Sequence, residues 1–281
     1  MTIDITTAVR VGQGRTADIY QWDNHQMLKL FHTRWSLSAV EQEAHISRIV
    51  QETGLPVPAT GGMVEIDGRY GILFERIDGP TMLRQLGAKP WTAISLLHAF
   101  ADLHVRMHAH TMAMGELGEL PSQRQQLRQL IQRASPLPAA WTAAALTALD
   151  RLPDGTCLCH GDYHPDNVLM STHGPIIIDW SEATVGNPLA DVAQTALIFR
   201  MGAPPPGGMS PLLIGRVRAV AQVTYLRRYR KRAPALRTEL AAWRLPIAAA
   251  RLATGIPEEQ QRLLTHIETL VRTRDTPTAA P

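Results

Sequence analysis

The sequence predicts an α+β protein with two lobes, a small β-rich N-terminal lobe and a larger helical C-terminal lobe. Short apolar or alternating runs separated by glycine and proline fill residues 1–77, a pattern typical of strands. After Gly79-Pro80 the apolar residues recur with helical spacing, first over residues 94–107. We therefore expect a small β-rich N-terminal lobe over residues 1–77 and a larger helical C-terminal lobe over residues 78–281.

The elements of the first lobe have local support in the sequence. The stretch Val11-Gly12-Gln13-Gly14 and the residues after it indicate strand, glycine turn and strand, and a third strand is predicted over 27–31. Helical spacing over 41–53 ends at Gly54-Leu55-Pro56, where glycine and proline stop a helix. Two more strands are predicted, over 63–66 and 70–74.

The second lobe is predicted to be helical with two embedded strands, over 157–158 and 176–179. Helical patterns cover residues 122–134, 139–151, 189–200, 211–231, 235–252 and 258–272. Prolines lie at or near most of their ends, where the missing N–H costs little. Pro246 lies inside one pattern, so we expect that helix to be kinked or split.

The composition is that of a globular chain without a membrane segment. The chain has 281 residues, 45% of them hydrophobic and 19% charged. Residues 1–7 contain no basic segment followed by an apolar one, so no signal peptide is predicted. No uncharged apolar run reaches the ~18 residues of a membrane span. Cys157 and Cys159 point to one face of a predicted strand, a poor geometry for a disulfide, so we expect reduced thiols and a cytoplasmic protein.

Basic residues are concentrated in the last third of the chain. Residues 182–281 contain seven acidic and fourteen basic residues, with the densest basic run over 225–232. Basic residues beside tyrosines can bind nucleic acid. Here they continue a helical apolar pattern, and cations in the last turn suit the helix dipole, so nucleic acid is not an expected partner.

Three polar residues have the spacing of a phosphoryl-transfer site. Asp162 is followed five residues later by Asn167, and Asp179 ends an apolar run twelve residues further on. In kinase-like enzymes one Asp accepts the proton of the attacking hydroxyl, and an Asn and a strand-end Asp hold Mg²⁺. We therefore predict Asp162 as the catalytic base and Asn167 and Asp179 as metal ligands.

The first lobe supplies residues that could bind the nucleotide phosphates. Gly12 and Gly14 would let the backbone approach phosphate oxygens. Lys29 is one of only three lysines among 28 basic residues and lies within an apolar strand, where a cation needs partners. Glu43 on the following helix is the expected partner, with Glu41 as the alternative. No Gly-x-x-x-x-Gly-Lys-Ser/Thr motif is present, so a P-loop enzyme is not supported.

The histidines are interpreted as structural residues. His160 and His164 flank the predicted base and are expected to brace its loop by hydrogen bonds. His104 and His108 lie four residues apart on a predicted helix, but no carboxylate completes a His-Glu-x-x-His pattern, so no metal site is predicted there.

These motifs resemble those of the aminoglycoside phosphotransferase and choline-kinase-like family of small-molecule kinases. The matching pieces are the glycine turn, Lys29, Glu43, His160-Gly161-Asp162-x-His164-Pro165-x-Asn167, Ile178-Asp179-Trp180 and Gly186-Asn187-Pro188-x-x-Asp191. The resemblance implies a protein-kinase-like fold, ATP or GTP as donor, Mg²⁺, and transfer to a hydroxyl of a small molecule. Asn187 departs from the family, which usually has Asp there.

Three alternatives to a general small-molecule kinase stay open. A protein kinase is disfavoured, because only eleven residues separate Asp179 from Asp191 and no Ala-Pro-Glu segment follows. A catalytically inactive nucleotide-binding regulator would be expected to lack Lys29, Asp162 or Asp179, and all are present. An aminoglycoside-resistance enzyme is possible in this family, although polycations favour an acidic pocket.

Overall fold

A computed structural model describes residues 8–111, 119–202, 211–233 and 237–275. The prediction that no signal peptide is present concerns residues 1–7, which lie outside these ranges. The chain forms two compact units: unit 1 combines Met1–Ala88 with Pro165–Glu182, and unit 2 combines Lys89–His164 with Ala183–Pro281. The lobe boundary between residues 77 and 78 stays a prediction.

Unit 1 contains a five-stranded antiparallel sheet in the order β1-β2-β3-β5-β4. Its strands are β1 (Arg10–Gln13), β2 (Ala17–Gln21), β3 (Gln26–Phe31), β4 (Thr60–Ile66) and β5 (Arg69–Glu75). Strands β1 and β2 are thus the strands on either side of the predicted glycine turn. The predicted strands over 27–31, 63–66 and 70–74 are all present.

Helix α1 (Leu37–Glu52) packs on one face of this sheet. It begins after Ser36, whose hydroxyl accepts a hydrogen bond from the Ala39 N–H at 3.3 Å. Because side chains alternate along a strand, Leu28 and Leu30 of β3 pack in a cluster on the opposite face, while Phe31 packs with α1. Lys29, between the two leucines, therefore points to the side of the sheet that α1 covers.

Residues 165–182 add a small hairpin to unit 1. Its strands, β7 (Val168–Ser171) and β8 (Gly174–Ile177), pair antiparallel with Val168 opposite Ile177. Helix α2 (Met82–Ala88) precedes it in the chain and was not predicted. The hairpin is connected to the segment before α2 by a hydrogen bond from the Met170 N–H to the Pro80 carbonyl at 2.9 Å.

Unit 2 is mainly helical, as the apolar spacing predicts. The helices are α3 (Ala93–His108), α4 (Gln123–Arg133), α5 (Ala139–Asp150), α6 (Pro188–Met201), α7 (Pro211–Arg232), α8 (Arg237–Leu252) and α9 (Pro257–Asp275). A short antiparallel pair joins β6 (Cys157–Cys159) to β9 (Thr184–Gly186). Helix α8 packs against α4, α5, α6 and α9, which makes it the centre of this helical group.

Two residues that the sequence singles out, Pro246 and Asn187, belong to the helices of unit 2. Helix α8 continues as one element through Pro246, so it is not split there. Asn187 is the N-cap of α6, and its side-chain oxygen accepts a hydrogen bond from the Leu189 N–H at 2.9 Å. Among the described residues, none of the helices combines the length and apolar character that a membrane span requires.

Candidate active site

Lys29 is the centre of a buried charge cluster in unit 1. Its ammonium nitrogen lies 2.7 Å from Oε1 of Glu43 and 2.7 Å from Oδ1 of Asp179. Burial alone would lower the pKa of Lys29, but the two carboxylates outweigh burial and raise that pKa above its usual range. The lysine is therefore a fixed cation with two anionic partners.

The helical phase of α1 explains why Glu43 is the partner. Glu43 lies on the buried face of the helix with Val40, Ala44 and Ser47, at the i, i+3 and i+4 spacing of one helix face. Glu41 is on the exposed side of the same helix. The sequence predicts Glu43 as the partner of Lys29, with Glu41 as the alternative, and the structure pairs Lys29 with Glu43.

The β7–β8 hairpin explains why Asn167 and Asp179 come together. Asn167 immediately precedes β7 and Asp179 follows β8, and the Ile178 N–H donates to the Asn167 carbonyl at 3.0 Å. The two residues therefore lie at the same open end of the hairpin. Asp179 has a φ of +63°, a left-handed conformation that is uncommon for a residue with a side chain. Such conformations are concentrated at functional sites.

A cleft of about 690 Å³ in unit 1 collects all the residues predicted to contact the nucleotide or metal. It is lined by Gly12, Gly14, Lys29, Glu43, Asn167 and Asp179, and by the segment 74–81. The Gly14 backbone lies close to the start of β2, since a Cβ at Gly14 would lie 3.2 Å from the Ala17 carbonyl oxygen. This volume falls within the range of small-molecule sites in proteins.

The loop that carries Asp162 belongs to unit 2 and is anchored by Asp191 of α6. The fully buried Asp191 carboxylate accepts hydrogen bonds from the His160 N–H at 2.7 Å and the Gly161 N–H at 2.9 Å. Tyr163 of the same loop donates its hydroxyl to the Phe100 carbonyl at 2.9 Å. These contacts fix the backbone on both sides of Asp162.

Asp191 is in turn held by two histidines of α3. The Nε2 atoms of His104 and His108 each lie 3.2 Å from Oδ2 of Asp191. Their Nδ1 atoms contact the hydroxyls of Tyr225 at 2.8 Å and Tyr229 at 2.7 Å. Burial, with a smaller effect of His108, lowers the pKa of His104 to about 3, so this ring is neutral and donates its Nε2 proton.

His104, His108 and Asp191 thus form a three-residue cluster, in which Asp191 supplies the carboxylate that no nearby residue in the sequence provides. Their potential ligand atoms lie within 4.8 Å of one another, a spacing that a metal ion could in principle use. Each ring nitrogen of the two histidines already has a hydrogen-bond partner. We therefore interpret the cluster as the anchor of the Asp162 loop.

Asp162 itself is held by two further residues. His164 Nε2 lies 3.3 Å from its Oδ2, and Arg251 of α8 donates from Nη1 to its Oδ1 at 3.0 Å. Burial would raise the pKa of Asp162, but His164 and Arg251 outweigh it and hold that pKa well below its usual range. Arg251 and its partner Glu259 were not predicted, because Arg251 lies 89 positions from Asp162 and no local pattern connects the two.

Asp166, the other acidic residue of this region, has a different environment. It is exposed, and its Oδ1 accepts a hydrogen bond from the Thr81 hydroxyl at 2.7 Å. The contact connects the start of α2 to the turn before β7. Asp166 therefore has a structural partner on the rim of the cleft, whereas Asp179 faces Lys29.

The chain is similar in sequence to known proteins. The sequence profile of the phosphotransferase enzyme family matches residues 7–210. Acyl-CoA dehydrogenase family member 10 of Mus musculus is 23% identical in an alignment of 182 residues that covers 58% of this chain. The match covers 17% of that protein, so the chain spans only a small part of the length of this relative.

Solved structures share the fold. The crystal structure of an aminoglycoside-3'-phosphotransferase of type VIII matches with a TM-score of 0.61 at 18% identity, over 88% of this chain and 92% of that one. An amicoumacin kinase in complex with AMP-PNP and Ca²⁺ matches with a TM-score of 0.63 at 12% identity, over 99% and 92%. A choline/ethanolamine kinase family protein from Mesorhizobium loti and a choline kinase from Cryptosporidium parvum are also among the matching structures. The predicted protein-kinase-like fold is confirmed.

The family profile covers more than two-thirds of the chain, from before the glycine turn to beyond α6. It includes the Lys29 cluster, the hairpin with Asn167 and Asp179, and the anchored loop with Asp162. The chain belongs to the phosphotransferase enzyme family.

Proposed function

We propose that this enzyme transfers the γ-phosphoryl group of ATP or GTP to a hydroxyl of a small-molecule acceptor. The observation that carries the proposal is the contact of Lys29 with both Glu43 and Asp179 at 2.7 Å in a cleft that Asn167 also lines. A lysine oriented by a glutamate next to a strand-end aspartate is the phosphate-binding arrangement of kinase-like enzymes. AMP-PNP in the similar amicoumacin kinase further supports a nucleotide donor.

In this proposal the cleft of unit 1 binds the nucleotide. The backbone at Gly12 and Gly14 contacts the phosphates, and the Lys29 ammonium neutralises part of their charge. Backbone groups of residues 75–78, which line the same cleft, bind the base. The phosphates are thus contacted by the glycine backbone and the Lys29 ammonium, and the base is contacted by backbone groups alone.

The donor set at the open end of the hairpin fits Mg²⁺. Asn167 offers an amide oxygen and Asp179 a carboxylate, and hard cations of this kind prefer oxygen ligands. When bound, Mg²⁺ supplies counter-charge to the phosphates during transfer. Asn167 and Asp179 would hold the ion, with Lys29 beside Asp179 as a second positive group.

Asp162 is the proposed base that orients the acceptor hydroxyl and accepts its proton. Its low pKa keeps the carboxylate ionised, and the anchored loop limits its movement. In the loose transition state of phosphoryl transfer, the bond to the acceptor oxygen is only slightly formed, so a strong base is not required. The position of the Asp162 carboxylate therefore matters more than its proton affinity. A depressed pKa is therefore compatible with this role.

A small acceptor is favoured over a protein substrate. The chain between Asp179 and Asp191 contains strand β9 and the start of α6, which leaves little length for a long activation segment. An inactive regulator is disfavoured because the lysine, the base and both metal ligands are all retained.

The proposal is tested by a coupled assay of ADP release from Mg·ATP, and of GDP release from Mg·GTP. The acceptor panel contains choline, homoserine, a macrolide, simple sugars and an aminoglycoside. We expect one class to raise nucleotide consumption above the acceptor-free rate, with a phosphorylated product detected by mass spectrometry and no product without Mg²⁺. Tight Mg·ATP binding without turnover of any acceptor would contradict the proposal and favour a regulator.

A further inference from the structure

Arg251 is held in place by a two-point ion pair with Glu259. Its Nε lies 2.9 Å from Oε2 and its Nη2 lies 3.0 Å from Oε1 of that residue. Both side chains are nearly buried, with 8% and 2% of their surface exposed. This parallel geometry fixes the plane of the guanidinium group as well as its distance.

The remaining terminal nitrogen of Arg251 reaches the candidate base. Nη1 donates to Oδ1 of Asp162 at 3.0 Å, and the Asp162 side chain is 26% exposed. Asp162 therefore contacts a guanidinium group whose orientation is set by its two-point ion pair with Glu259. His164 contacts the other carboxylate oxygen at 3.3 Å.

A purely structural ion pair does not require this third contact. Arg251 and Glu259 join α8 to α9 and satisfy each other's charge without Asp162. The additional contact lowers the proton affinity of Asp162, so it does not make a stronger base. What it does provide is a single carboxylate orientation, and small errors in position are costly in transfer reactions.

We propose that Arg251, clamped by Glu259, is a positioning residue that holds the Asp162 carboxylate in one orientation toward the acceptor hydroxyl. This inference rests on the proposed function for its catalytic consequence. The contact itself can be tested without any acceptor, which separates failure of one from failure of the other.

The contact is tested by ¹³C NMR of labelled aspartate carboxyl groups, with the Asp162 signal identified by its loss in Asp162→Asn. The charged or titratable groups around Asp162 are His160 and His164 on its loop, Arg251 of α8, and Glu259 of α9 behind the arginine. Arg251→Gln should raise the titration midpoint of Asp162 by about one to three pH units, the usual effect of a neighbouring arginine. An unchanged midpoint in the folded variant would overturn the inference.

The matched control is Arg228→Gln. Arg228 makes a two-point pair with Asp102, at 2.8 and 2.6 Å, between α7 and α3 of the same unit. Its loss removes one arginine–carboxylate pair of unit 2 and should leave the Asp162 midpoint unchanged. If Arg251→Gln does not fold, Arg251→Lys keeps the charge but cannot contact both carboxylates in the same way, and it should give a smaller shift in the same direction.

The catalytic consequence is tested by nucleotide release with the best acceptor of the panel, or with water if none is found. Arg251→Gln should lower kcat about 10- to 100-fold while the KM for nucleotide stays near the wild-type value. In the Asp162→Asn background the same change should have little further effect, because the residue it positions is already inactive. Equal losses in both backgrounds would show a general structural role and overturn the inference.

The two readouts also separate this inference from the proposed function. If Arg251→Gln shifts the titration midpoint of Asp162 but the wild-type protein consumes no nucleotide, the Arg251 contact is supported and the kinase activity is rejected. Normal kinase activity with an unaffected Arg251→Gln variant would reject the positioning role alone.

Discussion

The Lys29 ammonium lies 2.7 Å from the Asp179 carboxylate, although 150 positions separate these residues in the chain. The same ammonium is 2.7 Å from Glu43, which the first helix of the chain supplies. Asp179 thus has a cation on one side before any metal is considered. A change at Asp179 affects both the proposed metal site and the charge balance around Lys29.

Asp179→Asn should weaken Mg²⁺-dependent nucleotide binding. An amide oxygen is a poorer ligand for a hard cation than a carboxylate, and the change also leaves Lys29 with one anionic partner. We expect a loss of about 10- to 100-fold in affinity for Mg·ATP, as seen for changes around metal ligands. Isothermal titration calorimetry measures it, with Asp166→Asn as the matched control. If only the control loses affinity, Asp166 is the ligand instead.

Glu43→Gln should reduce activity far more than Glu41→Gln. Glu43 is buried against Lys29, whereas Glu41 is exposed on the same helix. Loss of the buried carboxylate misplaces the lysine, so we expect kcat to fall and the KM for nucleotide to rise, together by about 10- to 100-fold in kcat/KM. Steady-state kinetics of both variants provide the comparison. The reverse ranking would assign the functional role to Glu41.

Asp162→Asn should lower turnover by about 10²–10⁴, the usual effect of removing a general base. The substitution retains the shape of the side chain and can still accept from Arg251, so nucleotide affinity should hardly change. Single-turnover measurements, in which chemistry limits the rate, make the test direct. Wild-type turnover in that variant would rule out Asp162 as the base.

The burial of His104 predicts loss of stability in acid. The folded pKa of His104 is about 3, against an ordinary value of 6.5, so below pH 6.5 the unfolded chain binds more protons than the folded one. The unfolding free energy should therefore decrease as the pH falls from about 6.5 towards 3, by up to ~1.4 kcal/mol per pH unit for this group.

Urea unfolding between pH 4.5 and 7 measures this dependence. His104→Gln can still donate to Asp191 but does not titrate, so its slope with pH should be smaller than that of the wild type. His45→Gln, at an exposed position, is the control and should retain the wild-type slope. A wild-type slope in the His104 variant would contradict a neutral buried His104.

Neutral or anionic hydroxyl compounds should be better acceptors than polycations. The basic excess over residues 182–281 opposes the approach of positive ligands. Asp191 cannot offset it, because its carboxylate is buried and occupied by the Asp162 loop. We expect at least about a tenfold difference in kcat/KM, equal to ~1.4 kcal/mol, which higher salt should reduce. Efficient phosphorylation of kanamycin-like aminoglycosides without turnover of neutral alcohols would refute this charge argument.

Local sequence signals were sufficient for most elements of the fold. Lys29 between two leucines indicates a buried strand with one polar face, and a carboxylate partner is expected on the following helix, where the sequence leaves Glu41 as an alternative to Glu43. The short spacing from Asn167 to Asp179 indicates a hairpin, which is the observed β7–β8 pair. In each case the residues that interact are close in the chain or share an obvious period.

Long-range side-chain pairing was beyond the sequence. Arg251 lies 89 residues from Asp162, and Asp191 lies more than 80 residues from His104 and His108. An arginine at the end of an amphipathic helix resembles any solvated arginine until the tertiary contact is known. Helix α2 was also missed, because its sequence follows Gly79-Pro80 and is short.

The placement of residues 165–182 within unit 1 affects the order in which the chain can fold. When synthesis proceeds from the N-terminus, the five-stranded sheet and α1 emerge first, but the hairpin and Asp179 follow only after the 76 residues Lys89–His164 of unit 2. Contacts of such sequence separation slow folding and leave partly folded chains exposed to aggregation. Glu43, only fourteen positions from Lys29, is the partner that can neutralise this buried cation in the nascent chain before Asp179 is made.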